Sequence, residues 1–432
     1  MFRSKAPVVA GAMLAASLVL AACGADADDG GGGDVLRLWH YEGANSAMGV
    51  AWAEAIKQFE ASHPGVTVRF EEKGFEQIRQ NAGMILNSDE APDVMEYNKG
   101  NASAGLLSKQ GLLTDLTTEA TARGWADRIG PALQTTSRYD AAGIMGSGTW
   151  YGVPNYGEYV MVYYNKDLFA RHHVAVPTTF DQFTAAMDTF VKAGVTPLSV
   201  GGAEYPAQHV FYELALSRAD RAFVERFQLY RGKVDFTGPE LSHAANTFAD
   251  WVAKGYIAKN SAGIKAEDMG TGFTQGRFPM VITGSWWYGR FADEITNFRW
   301  GTFLFPGNTL HPGSGGNLWV VPAKAKNKKL AYDFIDITMK PEIQNLLGNS
   351  GGVPVAADIS QITDPKNREL IDNFGRLTAA DGLAFYPDWP VPGYYDVLVA
   401  GVQHLINGSR TPQQVLGDLA KPYQDHLSSL GK

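Results

Sequence analysis

The first stretch that limits the possible folds is a strand, a helix and a second strand in direct succession. Val35 to Tyr41 ("VLRLWHY") alternates in part and is rich in large side chains, which is strand character. Glu42-Gly43-Ala44-Asn45-Ser46 then makes a turn ending in a helix cap, and Trp52, Ala55, Ile56 and Phe59 recur at helical spacing. Ser62-His63-Pro64-Gly65 stops that helix, and Val66, Val68 and Phe70 alternate again. Two strands joined through a helix pair in parallel, because the crossover returns the chain to the same end of the sheet.

The alternation continues. Gln77 to Leu86 is predicted helical and Asp93 to Tyr97 a short strand. Thr179 and Gln182 form a capping box for a helix whose apolar face is Phe180, Phe183, Met187, Phe190 and Val191. Leu241 to Val252 and Leu330 to Met339 read as helices, and Thr411-Pro412-Gln413-Gln414 as a cap with proline at the first helical position. Pro279 to Thr283, Gly301 to Phe305 and Leu318 to Val321 read as strands. The class is therefore α/β, without an internal repeat.

The amino terminus sets the compartment. Arg3 and Lys5 precede an uncharged, mostly apolar run from Ala6 to Ala22. That is an export signal, and the run falls short of the ~20 residues of a bilayer span. Leu20-Ala21-Ala22-Cys23 resembles the bacterial lipobox, so residues 1–22 are expected to be a lipoprotein signal peptide and Cys23, the single cysteine, to carry lipid. Residues 23–34, with "GADADDGGGGD", would be a flexible linker reaching roughly 15–20 Å. Losing Arg3 and Lys5 takes the net charge from −8 to −10, which argues against nucleic acid as a partner. The remaining 410 of 432 residues suffice for two domains, and with one cysteine a large core, not disulfides, must hold them.

Signs of catalysis are weak. Gly348-Asn349-Ser350-Gly351-Gly352 fits G-x-S-x-G, but the hydrolase elbow needs a strand before the serine and a helix after it, and here a helical segment precedes and Val353-Pro354 follows. His172-His173 are adjacent, without His-x-x-x-His or Cys-x-x-Cys, so neither a metal nor another cofactor is expected. The acids Glu42, Glu96, Glu158, Glu204 and Asp388 lie near aromatics and turns. A glycosidase pair among them is an alternative that spacing alone does not test.

Aromatic clusters are the more unusual feature. Trp39-His40-Tyr41 ends the first strand; Tyr151, Tyr156 and Tyr159 surround Glu158; Trp286-Trp287-Tyr288 follows a strand. Trp319 lies in "GGNLWVV", which also holds Asn317, and Phe385-Tyr386 and Trp389 precede Tyr394-Tyr395. Many such rings belong to the core. Several, however, sit at strand ends beside Glu, Asp, Asn or Gly, where open α/β sheets bind ligands. A flat ring edged by hydrogen-bonding groups suits a sugar.

Taken with "FEASHPGVTVRFE" (59–71), "APDVMEY" (91–97), "YGVPNYGEYVMVYYNKDLF" (151–169), "FTQGRFPMVITGSWW" (273–287) and "INGSRTPQQVL" (406–416), the chain resembles the extracellular solute-binding proteins of bacterial ABC importers. The likeness is to the sugar-binding, maltose-binding-protein-like group, over nearly all of the mature chain. It implies a two-lobed α/β fold of the periplasmic-binding-protein kind, with a hinge and an interlobe ligand cleft. Lobe one would be 35–148 plus 300–342, and lobe two 149–299 plus 343–432. It further implies a monomer that is exported and lipid-anchored on the outer face of the cell membrane. There it would bind a carbohydrate, a short oligosaccharide, and deliver it to a membrane permease without covalent chemistry. Carried over by position, the hinge-side acid falls on Glu158, the stacking tryptophan on Trp286, a late platform on Tyr395 and the aromatic after the Pro-Asp strand on Tyr97, with Asn98 beside it. Glu204-Tyr205 resembles the acid–aromatic loop of lobe two, and the first-strand loop reads Glu42-Gly43-Ala44-Asn45 where maltose-binding protein has an acid–lysine pair. Tyr41, Asn45, Trp287, Asn317 and Trp389 complete the candidate ligand set. The alternatives are a secreted lipoprotein glycoside hydrolase and a structural cell-wall adhesin.

Overall fold

Parallel pairing of the first two strands organises one half of the molecule. The computed structural model describes residues 34–432, so the expected signal peptide 1–22, lipidated Cys23 and nearly all of the linker lie outside the described residues. β1 (Val35–His40) runs parallel to β2 (Thr67–Glu72), with Val35 opposite Thr67, and parallel to β3 (Val94–Tyr97) on its other side. The short strands β4 (Arg138–Tyr139) and β5 (Thr149–Trp150) pair with each other, and β6 (Val153–Pro154) joins the first sheet. β7 (Gly157–Asn165), β8 (Leu198–Ser199), β9 (Met280–Gly284) and β10 (Trp300–Phe303) form a second sheet in the order β10-β7-β9-β8. β11 (Gly313–Gly315) lies against the start of β7, and β12 (Leu318–Val320) returns to the first sheet, giving β2-β1-β3-β12-β6.

Each sheet is covered by helices whose apolar stripes match it. Ser46 caps the helix Ala47–Ser62, its side chain accepting from Gly49 N–H. That helix presses Trp52 edge-on to Trp319 of β12, with ring centres 5.3 Å apart, and Phe59 onto Phe334 of the helix Lys328–Thr338. The helix Pro341–Asn349 packs on it as well. Over the second sheet, the helix Pro206–Leu216 is buried along its whole length, between β9 and the helices Pro239–Ala253 and Tyr394–Asn407. The cap expected at Thr411–Gln414 proves to be a complete capping box. At the expected capping box, Thr179 accepts from Gln182 N–H, but the Gln182 side chain accepts from the N–H and hydroxyl of Thr178 instead of the Thr179 N–H.

The chain changes sheets at places the composition does not mark. Residues 300–303, expected in lobe one, pair antiparallel with β7 of the second sheet. Val153–Pro154, expected in lobe two, pairs with β12 of the first, and the helix Pro341–Asn349 also sits with the first sheet. The crossings are Asn155-Tyr156 and Gly316-Asn317, side by side. Asn155 N–H donates to Asn317 O (3.0 Å) and Gly316 N–H to Tyr156 O (2.5 Å). A third crossing follows the helix Pro341–Asn349, where Gly157 N–H donates to Val353 O (2.6 Å). These segments are the hinge. A side chain at Gly316 would place its Cβ 2.7 Å from the Tyr156 carbonyl oxygen. Gly316→Ala is therefore expected to force the paired crossings apart and to cost about 1–3 kcal/mol, as overpacking does, read as a lower midpoint in urea unfolding.

Candidate functional site

A cavity of about 550 Å³ opens between the two lobes, within the usual span of small-molecule sites. Its first wall stands beyond the carboxyl ends of the parallel strands β1 and β3. β1 is followed by Tyr41, Glu42 and Asn45, and β3 by Asn98 and Lys99. The second wall comes from Glu158 on β7, Glu204 and Tyr205 ahead of a helix, Trp286 and Trp287 after β9, and the segment Tyr386 to Tyr395. Asn317 and Tyr156 arrive from the hinge crossings themselves.

The floor is a buried ion pair. Lys99 Nζ lies 2.5 Å from Glu158 Oε1, with both side chains almost wholly out of solvent. Lys99 also donates to Asn317 Oδ1 (3.1 Å), and Asn317 Nδ2 donates to Tyr156 Oη (2.9 Å). Tyr156 donates in turn to Glu158 Oε2 (3.2 Å), and Ser314 to its other oxygen (3.3 Å). The ring faces of Trp389 and Tyr386 enclose the ammonium at 5.3 and 5.7 Å, a cation–π arrangement that offsets part of the lost hydration. Burial raises the Glu96 carboxyl to about 7 despite a hydrogen bond from Asn155 (2.8 Å). Burial also raises Glu42, with the nearby charges of Glu96 and Glu158 adding to it, and raises Asp388 to about 6. His209 is lowered to about 3, first by burial and then by the charge of Lys99, so its imidazole is neutral.

"TGSWW" resolves into two different tryptophans. Gly284 ends β9, and the Trp286 ring lies directly over it, in space that any Cβ would occupy. Trp286 is half-buried and faces the cavity, its Nε1 donating to Tyr205 Oη (3.4 Å). Trp287 is buried on Phe291 and Gly270, donates to the same Tyr205 oxygen (3.2 Å) and has Arg290 over its ring at 4.8 Å. Tyr288 turns away onto Trp300, whereas Arg290 reaches the cavity and holds Glu267 (2.5 Å) and Glu294 (2.7 Å).

Twelve of the thirteen expected ligand residues line this one cavity; Tyr97 does not. Strand alternation explains the exception. Neighbouring residues on β3 point to opposite faces, so Tyr97 is buried in the apolar core, and Asn98 meets the cavity instead. Tyr395 is present but differently employed. The Arg79 guanidinium covers its ring at 4.1 Å, and its hydroxyl donates to Glu76 Oε1 (2.6 Å) and accepts from Tyr205 N–H (3.1 Å). Arg79 also pairs with Asp396 (3.0 Å) and Glu76 (2.9 Å). Helix Phe75–Leu86 of the first lobe is thereby latched to helix Tyr394–Asn407 of the second, and Asn45 bonds Glu294 (3.1 Å) nearby. Tyr156, Tyr386 and Asp388, named among the aromatic and acid clusters, also line the cavity, and so does Lys99 beside Asn98. Phe75, Glu76 and His209 carried no sequence signal; His209 sits inside an all-buried helix.

Ser350 follows a helix, not a strand, so the nucleophile elbow is not formed. Among the described residues no cluster of His, Cys, Asp and Glu is arranged to hold a metal ion.

Comparison with known proteins agrees with this geometry. The multiple sugar-binding protein of Streptococcus mutans is 24% identical over 369 residues, covering 82% of each chain. A maltooligosaccharide ABC transporter solute-binding lipoprotein of Streptococcus pneumoniae is 26% identical over 383 residues, 85% of this chain and 84% of that one. A solved chitin oligosaccharide binding protein superimposes with a TM-score of 0.76 at 24% identity, covering 91% of this chain and 98% of its own. The family model described as bacterial extracellular solute-binding protein matches residues 54–371. With its two sheets, its bonded hinge and a cavity between the lobes, the chain belongs to the bacterial extracellular solute-binding proteins.

Proposed function

We propose that this protein captures a carbohydrate, a short oligosaccharide, by closure of its two lobes, and delivers it to the permease of an ABC importer. The observation that carries this reading is Trp286, a half-exposed indole in a cavity whose lining mixes further aromatic rings with carboxylates and amides. The C–H face of a pyranose packs on such a ring while its hydroxyls donate to the surrounding oxygens. The sugar-binding names of the relatives support the same class of ligand. The lobes divide at 155–156, 316–317 and about 352–353, where the hinge bonds lie. The lipobox at Cys23, and a relative that is a lipoprotein, support export and a lipid anchor on the outer face of the membrane, with the protein acting as a monomer. The relatives are named as sugar-binding and transporter proteins, not as hydrolases, which favours the receptor over the hydrolase alternative.

The direct test is a thermal-shift screen of mono-, di- and trisaccharides on purified protein, since a ligand bound only by the native state raises the melting temperature. No shift with any sugar overturns the carbohydrate reading. Trp286→Ala is expected to weaken binding about tenfold by loss of stacking while leaving the melting temperature of free protein nearly unchanged; unchanged affinity in calorimetry rejects the platform. Glu158→Gln strands Lys99 without its counter-charge and is expected to destabilise by about 3 kcal/mol, to weaken binding, and to leave export intact. Arg79 does not line the cavity, and Asp396 is largely exposed. Arg79→Met should therefore loosen closure only modestly, lowering sugar affinity about threefold and enlarging the scattering radius of the ligand-free protein.

A further inference from the structure

The basic side chains that face the cavity are already engaged. Lys99 is bonded to Glu158 and Asn317 and boxed by two rings, and Arg290 is held between Glu267 and Glu294. Two carboxyls are in the opposite condition. Glu42, only 8% exposed, receives a single long hydrogen bond from Ser46 Oγ (3.4 Å) and has no ion-pair partner among the described residues. Asp388, on the opposite lobe, likewise has no ion-pair partner among the described residues. A third group points the same way: His209 is 4% exposed, lines the cavity, and its Nδ1 has no hydrogen-bond partner among the described residues. The wall thus presents one buried and one half-buried carboxyl, neither with an ion-pair partner among the described residues, and an unfilled position on a neutral imidazole.

A carboxylate taken out of water without a counter-charge is costly. The raised proton affinities of Glu42 and Asp388 are the mark of that cost. Closing the lobes over a sugar that carries a carboxylate would add a like charge with no free cation among the described residues of the cavity to meet it. Closing over a sugar that carries an ammonium would supply the charge both acids lack, through hydrogen bonds stronger than those from hydroxyls. Resting on the carbohydrate reading above, we propose that the cavity sorts glycans by charge: an amine-bearing sugar binds more tightly than its neutral counterpart, and a carboxylate-bearing sugar is refused.

The test is calorimetry at neutral pH on three matched panels of mono-, di- and trisaccharides that differ only in bearing a hydroxyl, an amine or a carboxylate. Wherever a matched set binds, the amine member is expected to bind about tenfold more tightly than the neutral one, the usual gap between charged and neutral hydrogen bonds. The acidic member should show no measurable heat. In Glu42→Gln/Asp388→Asn the ratio of amine to neutral affinity should fall towards one. Neutral members binding as tightly as their amine counterparts, or acidic members binding comparably, overturn the charge rule and leave the sugar receptor standing. Binding by no panel overturns the carbohydrate reading itself. The comparison on unaltered protein decides the matter even where the double variant does not fold.

Discussion

Lys99 and Glu158 face each other 2.5 Å apart under the cavity, and much of the structure is arranged so that they can. One follows a strand of the first sheet and the other begins the long strand of the second. Removing both ions from water costs several kcal/mol apiece, and only close geometry with further hydrogen bonds offsets that. Here the further bonds come from Tyr156 and Asn317, the residues at which the chain crosses between lobes. Ion pair, hinge and cavity floor are therefore one hydrogen-bonded unit, and a ligand that touches the floor touches the hinge.

The wall above the floor shows how a rigid aromatic surface is built. Trp286 is fixed from below by a glycine at the end of β9 and from the side by the Tyr205 hydroxyl, which its neighbour Trp287 shares. Trp287 itself is sunk among Phe291, Gly270 and Arg290. One ring is thus held open by burying the next, and little side-chain freedom is left to lose when a ligand arrives.

The sequence made the elements legible because their burial period is strong. Trp52, Ala55 and Phe59 could belong only to a helix lying on a sheet, and that is where they are. The cavity wall was legible too, since acids and rings after strand ends are conspicuous. What stayed hidden depended on partners distant in the chain. Nothing in the run from Gly152 to Asn165 changes composition where it leaves one sheet for the other, because both sheets bury the same kinds of side chain. Tyr97 and Asn98 differ by a single step of strand alternation, and an aromatic carried over by position landed on the wrong face. Tyr395 was visible as an aromatic in the right place, but Arg79, which covers it, comes from the other lobe. His209 lies on a helix buried all round, where no periodicity separates a ligand-facing residue from a core one.

Three crossings, two of them bonded backbone to backbone and the third bonded to Gly157, also determine what kind of motion the lobes have. A single linker would leave them free to swing, twist and slide. Strands pinned side by side bend together about one line across their width, whereas twisting or sliding would shear the bonds between Asn155 and Asn317 and between Tyr156 and Gly316. A closure about these crossings would therefore run along one coordinate and bring the two walls together in the same register each time.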